Sequence, residues 1–174
     1  MNLHVVAYPE LNADDFLRIQ ECRKEHNSLY TIIPPHFTLV FAVKDVSEID
    51  FVSEIKRKTD SIKPISFCLR SATINRDAIS GYYDAFLVPD EGYGAISKLH
   101  DRLYSGKLLP EWRMDIPYVP HISIACNTDP NKILTIVNEW NSREFAIEGK
   151  IRYLDIINYE NRRVETLTRI ELCR

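Results

Sequence analysis

The 174-residue chain predicts an α/β (α+β) fold, a duplicated bilobal arrangement in which two antiparallel or mixed sheets line a central cleft with helices outside. Three observations predict it. Pro35-His36-Phe37-Thr38-Leu39 returns as Pro120-His121-Ile122-Ser123-Ile124. The order strand, helix, motif strand, helix, strand can be read twice along the chain. Proline follows the first strand of each half, and 27 residues separate Pro9 from His36 while 32 separate Pro89 from His121. The halves therefore differ mainly in loop length. We read residues 1–174 as a single domain of two pseudo-symmetric lobes, roughly 1–80 and 81–174, with strands exchanged between them.

Leu3 to Tyr8 is apolar and β-branched, which predicts a strand closed by Pro9. Asn12 or Asp14 caps a helix reaching His26, with Phe16, Leu17 and Ile19 expected on its inner side. Ser28 to Pro34 connects to a strand from His36 to Val43. Ser47 opens a second helix, in which Ile49, Val52 and Ile55 recur at helical spacing; Lys56, Arg57 and Lys58 at its end read as a solvated face suited to the helix dipole.

Ile65 to Ile74 and Tyr82 to Val88 read as strands joined by turn residues Asn75 to Gly81. A helix follows over Glu91 to Ser105, burying Ile96, Leu99 and Leu103, with Gly106 as its stop. Lys107 to Tyr118 is a loop carrying Trp112, Arg113 and Tyr118 into the second motif. Thr128 or Asp129 caps a helix through Ile133, Val137 and Trp140, with Pro130 in its first turn. Phe145 to Ile157 and Arg163 to Leu172 read as a terminal hairpin around Asn158 to Arg162.

Side chains alternate faces along a strand, so His36 and Thr38 share one face while Phe37, Leu39 and Phe41 take the other. His121 and Ser123 are paired by the same rule, backed by Ile122 and Ile124. Each proline stands at the start of its strand, where the missing N–H does least harm. A histidine followed two positions later by a hydroxyl is common by chance. Recurrence of the whole five-residue pattern, each time opening a strand, makes these two segments halves of one candidate site.

Composition narrows the function classes. With 45% hydrophobic and 27% charged residues, the chain falls outside the disordered and fibrous classes. A net charge of −3 excludes nonspecific coating of duplex DNA, which needs many cationic contacts, but leaves room for a small phosphate ligand. Cys22, Cys68, Cys126 and Cys173 are too scattered for a zinc or redox motif and are expected to be reduced thiols of a cytoplasmic protein. The first residues lack a signal-peptide plan, and no apolar run reaches the ~20 residues of a membrane span. Neither motif has an acidic neighbour, so neither a metal nor another cofactor is expected. His4, His26 and His100 lie on an expected strand and two expected helices, outside the repeated five-residue pattern, and are read as structural or surface residues.

At the two motifs the sequence resembles the two-histidine (2H) phosphoesterase superfamily, which includes bacterial 2′-5′ RNA ligase-like proteins and cyclic nucleotide phosphodiesterases. The resemblance implies His36 and His121 as catalytic residues, Thr38 and Ser123 as phosphate-binding residues, and metal-independent opening of a 2′,3′-cyclic phosphate. Its implied partner is a nucleotide or RNA end carrying a cyclic phosphate or a 2′-5′ linkage, met by a monomer. The alternatives are 2′-5′ RNA ligation by the same residues, or a non-catalytic nucleotide or RNA binder that kept the pocket. The chemistry is sound by itself. Opening the ring needs a base to deprotonate water and an acid to protonate the departing ribose oxygen, and two imidazoles serve both near neutrality. The hydroxyls would hold nonbridging oxygens, and which histidine plays which part is open. Tyr118 and Trp112 are candidates to stack on base or ribose, and Arg113 to meet a terminal phosphate.

Overall fold

In a computed structural model, which describes residues 1–78 and 80–173, the strands form two sheets whose ladders are all antiparallel. The first half runs β1 (Leu3–Ala7), β2 (Glu10–Leu11), α1 (Ala13–His26), β3 (Phe37–Val43), α2 (Glu48–Thr59) and β4 (Ile65–Arg76). The second runs β5 (Tyr83–Glu91), α3 (Tyr93–Tyr104), a 3-10 turn (Gly106–Glu111), β6 (Ile122–Asn127) and α4 (Pro130–Asn141), then β7 (Ile147–Ile151), β8 (Tyr153–Glu160) and β9 (Arg163–Glu171).

One sheet has the order β3-β1-β8-β9 and the other β2-β7-β4-β5-β6. Each motif strand, β3 or β6, is thus an edge strand beside the first strand of its own half, β1 or β5. An edge is where a strand opened by proline fits, because no neighbour requires the missing N–H. Each sheet also takes strands from both halves: β4 of the first half pairs with β5, while the C-terminal β8 pairs with β1.

The helices cross over in the same sense. Packed against β6, α1 brings Cys22 Sγ 3.8 Å from the carbonyl of Ile124, and α3 packs against β3, where His100 Nδ1 donates to the carbonyl of Leu39 at 2.9 Å. These carbonyls belong to equivalent positions, three residues beyond each motif histidine. The apolar backs of the motif strands, Phe37 and Leu39 on one and Ile122 and Ile124 on the other, are fully buried in a common core. Burial of each such side chain stabilises the fold by about 1.5–3 kcal/mol, which fixes the opposite faces of both strands toward the polar side.

Asn12 Oδ1 caps α1 by accepting from the Asp15 amide at 2.9 Å, Ser47 Oγ caps α2 through the Asp50 amide at 3.2 Å, and Asp129 caps α4 through the Asn131 amide at 2.9 Å. The third helix starts later than expected, at Tyr93, because β5 continues to Glu91. Gly92, with φ +85°, makes that corner, and a Cβ there would lie 2.6 Å from the Ser66 carbonyl oxygen.

Several expectations need correction. Of the residues expected inside α1, Ile19 is buried while Phe16 and Leu17 are exposed, and Arg23 joins Ile19 on the inner face. Leu17 stands two residues, about 200°, around the helix from Ile19. In α2, Ile49 is 82% exposed and the inward face comprises Phe51, Glu54, Ile55 and Lys58. Lys58 is no part of a solvated face: its Nζ donates to the carbonyls of Leu103, at 2.8 Å, and Ser105, and pairs with Glu54 at 3.1 Å. It satisfies the end of α3, where carbonyls lack helical partners. The expected Phe145–Ile157 arm divides at Arg152, giving β7 to one sheet and β8 to the other. Only β8 and β9 form the terminal hairpin, turning through Asn161 and Arg162 at φ 52° and 58°. The loop expected over Lys107 to Tyr118 begins as the 3-10 turn. Ile79, within the expected Asn75–Gly81 turn, lies outside the described residues.

Candidate active site

Each motif histidine stands one residue before its strand and is tied down in the same way. His36 Nδ1 donates to the Pro34 carbonyl at 2.8 Å, and His121 Nδ1 to the Val119 carbonyl at 2.6 Å. A carbonyl can only accept, so Nδ1 carries the hydrogen and the neutral ring keeps its lone pair on Nε2. Phe86 of β5 stacks on His121 with centroids 3.5 Å apart and planes at 11°. Tyr8, just beyond β1, meets His36 edge-on at 6.2 Å. Cross-strand register sets Thr38 opposite Val6 and Ser123 opposite Phe86.

The two motifs are also connected to each other. His36 and His121 are near enough that positive charge on His121 disfavours charge on His36. Asn27, at the end of α1, donates from Nδ2 to Ser123 Oγ at 3.4 Å, and the Tyr118 hydroxyl donates to the Thr38 carbonyl at 3.0 Å. Each lobe therefore holds the other's motif strand. Arg23, 2% exposed, spans from α1 to the segment before His36, donating to the Ile33 carbonyl at 2.6 Å.

Burial pushes both imidazoles down, His36 to about 4 and His121 to about 4. The bonds to Pro34 and Val119 act the other way, and the charges of Arg23, His121 and His4 lower His36 further. Both rings are consequently neutral at pH 7 with nothing bound. Neutral Nε2 atoms can accept protons, and an anion bound beside them would favour charging one ring.

The aromatic candidates pack against α3. Tyr118 stacks on the buried His100 with centroids 3.6 Å apart, and Trp112 on Tyr104 at 6.1 Å. Burial raises the Tyr118 hydroxyl well above the usual phenol range. Both residues line a cavity of about 510 Å³ with Tyr93, Ser97, Asp101 and Met114. Arg113 is held by Asp115 at 2.6 and 2.8 Å. His26 lies on the surface 3.6 Å from Glu25, whereas His4 lines an apolar cavity of about 160 Å³ shared with His36 and Thr38. The cysteines are free thiols. Among the described residues, no three His, Cys, Asp or Glu side chains converge as a metal site requires, and no helix is long and apolar enough to cross a membrane.

Sequence reading missed Tyr8, Asn27 and Arg23. Tyr8 had a weak signal, since it precedes Pro9 as the chain leaves the strand that pairs with β3. Asn27 had none: its partner lies 96 residues away.

Comparison with known proteins agrees with this fold. The profile of the 2′-5′ RNA ligase superfamily matches residues 9–163. A candidate phosphoesterase of Geobacillus kaustophilus is 27% identical over 128 residues, covering 72% of this chain and 69% of that one. TT0787 of Thermus thermophilus shares the fold with a TM-score of 0.66 at 15% identity, covering 99% of this chain and 98% of that one. LigT of E. coli complexed with 3′-AMP superposes with a TM-score of 0.57 at 15% identity over the same shares, 99% and 98%. With the paired motifs, the crossed lobes and this match over most of its length, the chain belongs to the 2′-5′ RNA ligase superfamily of 2H phosphoesterases.

Proposed function

We propose that the protein is a metal-independent phosphodiesterase that opens a 2′,3′-cyclic phosphate on a nucleotide or RNA end. The observation that carries this reading is the equivalent anchoring of two imidazoles, each presenting a lone pair from Nε2, on strands that each accept a hydrogen bond from the other half of the chain. The permanent charge of Arg23 opposes positive charge on His36, which favours it as the neutral base that takes a proton from water. His121 then gives a proton to the departing ribose oxygen. Thr38 and Ser123 donate to the nonbridging oxygens and hold phosphorus between the rings. The complex of LigT with 3′-AMP supports a ribonucleotide with phosphate at the 3′ position as the class of ligand. Tyr118 and Trp112 would meet the nucleoside where they border the neighbouring cavity.

A second reading, 2′-5′ RNA ligation, is favoured by the family match and uses the same groups in reverse, with the acid and base exchanged. The test is turnover of 2′,3′-cyclic AMP, beside ligation of RNA ends, by the wild type and by His36→Ala and His121→Ala. Each substitution should lower turnover by about 10²- to 10⁴-fold in a folded protein. Wild-type turnover in either folded variant would refute the reading.

A further inference from the structure

We propose that Asn27 is a positioning residue for Ser123, turning its hydroxyl hydrogen into the cleft. The inference rests on the reading of Ser123 as a phosphate donor and adds a residue that neither motif contains. Asn27 is 7% exposed, and its amide orientation is determined by its own neighbours. Oδ1 accepts from the Leu29 amide at 2.9 Å, and an N–H can only donate, so the other end of the side chain must be the NH₂. That NH₂ faces Ser123 Oγ at 3.4 Å. A serine hydroxyl has one hydrogen and two lone pairs. With one lone pair accepting from Asn27, the hydrogen must point away from Asn27, leaving it free to reach a phosphate oxygen.

The placement of Asn27 adds a second consequence. It is the residue at which α1 ends, its amide donating to the Arg23 carbonyl at 2.8 Å, and it starts the segment leading to His36. Arg23 holds the same segment through the carbonyls of Leu29, at 3.4 Å, and Ile33, at 2.6 Å. One side chain thereby couples the hydroxyl of the second motif to the backbone that delivers the histidine of the first. Serine at position 27 would keep an oxygen for the Leu29 amide yet has no donor that reaches β6.

The experiment is a double-mutant cycle on turnover of 2′,3′-cyclic AMP by the full chain: wild type, Asn27→Ser, Ser123→Ala and the double variant. Asn27→Ser should lower kcat/KM about ten-fold, the size expected for one hydrogen bond, and should change Ser123→Ala by less than about two-fold. Wild-type turnover in Asn27→Ser, with Ser123→Ala impaired, would overturn the role of Asn27 alone. The same ten-fold loss in both backgrounds would also overturn it, since Asn27 would then act on the loop rather than through Ser123. Full turnover in Ser123→Ala would instead overturn the reading of the site on which the inference rests. If Asn27→Ser does not fold, the Asn27 Nδ2 resonance decides in the wild-type background: Ser123→Ala should shift it, and an unmoved resonance would refute the contact.

Discussion

Acidification is the perturbation that most directly probes the paired imidazoles. Their pKa values lie near 4 in the folded protein, against 6.5 for an unperturbed ring. Between those values the unfolded chain binds more protons than the folded one, so stability is complete above pH 6.5 and is lost as pH falls through 4. At about 1.36 kcal/mol per pKa unit the ceiling is about 3 kcal/mol per ring, reduced because both rings keep part of their surface in water. A bound anion should reverse this. Unit charges about 4 Å apart at an effective dielectric near 20 interact by about 4 kcal/mol, enough to offset the desolvation of one imidazole. The assay is an NMR titration of the imidazole Hε1 resonances, assigned with His36→Ala and His121→Ala, with and without saturating sulfate, whose charge is constant over this range. Both rings should titrate near 4 in the free protein, and sulfate should raise at least one of them toward neutrality. Urea unfolding should lose stability from about pH 7 to about pH 4, less steeply in His121→Ala, with a residual slope from His36 and His4, both also lowered to about 4. Titration of both rings near 6.5, or no response to sulfate, would refute the account of two neutral imidazoles awaiting an anion.

Hydrolysis of 2′,3′-cyclic AMP should survive exhaustive chelation, because imidazole rather than an ion generates the nucleophile; loss with chelator and recovery on adding a divalent ion would overturn this mechanism. The His36→Ala, His121→Ala double variant should fall little below the worse single variant, since both rings serve one step, and additive losses in steady-state kinetics would separate their roles. Lys58→Met should cost about 3 kcal/mol, the low end for breaking a buried ion pair, because Arg57 still faces Glu54 at 2.9 Å. Its measure is the urea midpoint at unchanged slope, and a shift below about 0.5 kcal/mol would show that the buried ammonium contributes little.

Much of the site was legible because its signals are local. Proline, histidine and a hydroxyl at strand spacing dictate a start, a face and an apolar back within five residues, and repetition identified the segments that belong together. Helix caps at Asn12, Ser47 and Asp129 were legible for the same reason, as side chain and amide are two or three residues apart. Errors arose where burial depends on a distant surface. Ile49, Val52 and Ile55 have helical spacing, yet a helix with apolar residues on more than one flank can dock through either, and the position of α3 selected the flank carrying Lys58.

By itself, then, the sequence determined the duplicated order of elements, the two motif faces and their residue chemistry, all consequences of backbone periodicity and side-chain type over short spans. Only the tertiary structure decided that the exchanged strands are β4 and β8, the break at Arg152, and the crossing of α1 onto β6 and α3 onto β3. It also decided the stacking of Phe86 on His121 and the reach of Asn27 to Ser123. Strand partners and helix docking are chosen by the summed burial of surfaces far apart in the chain, and no short stretch of residues contains that sum.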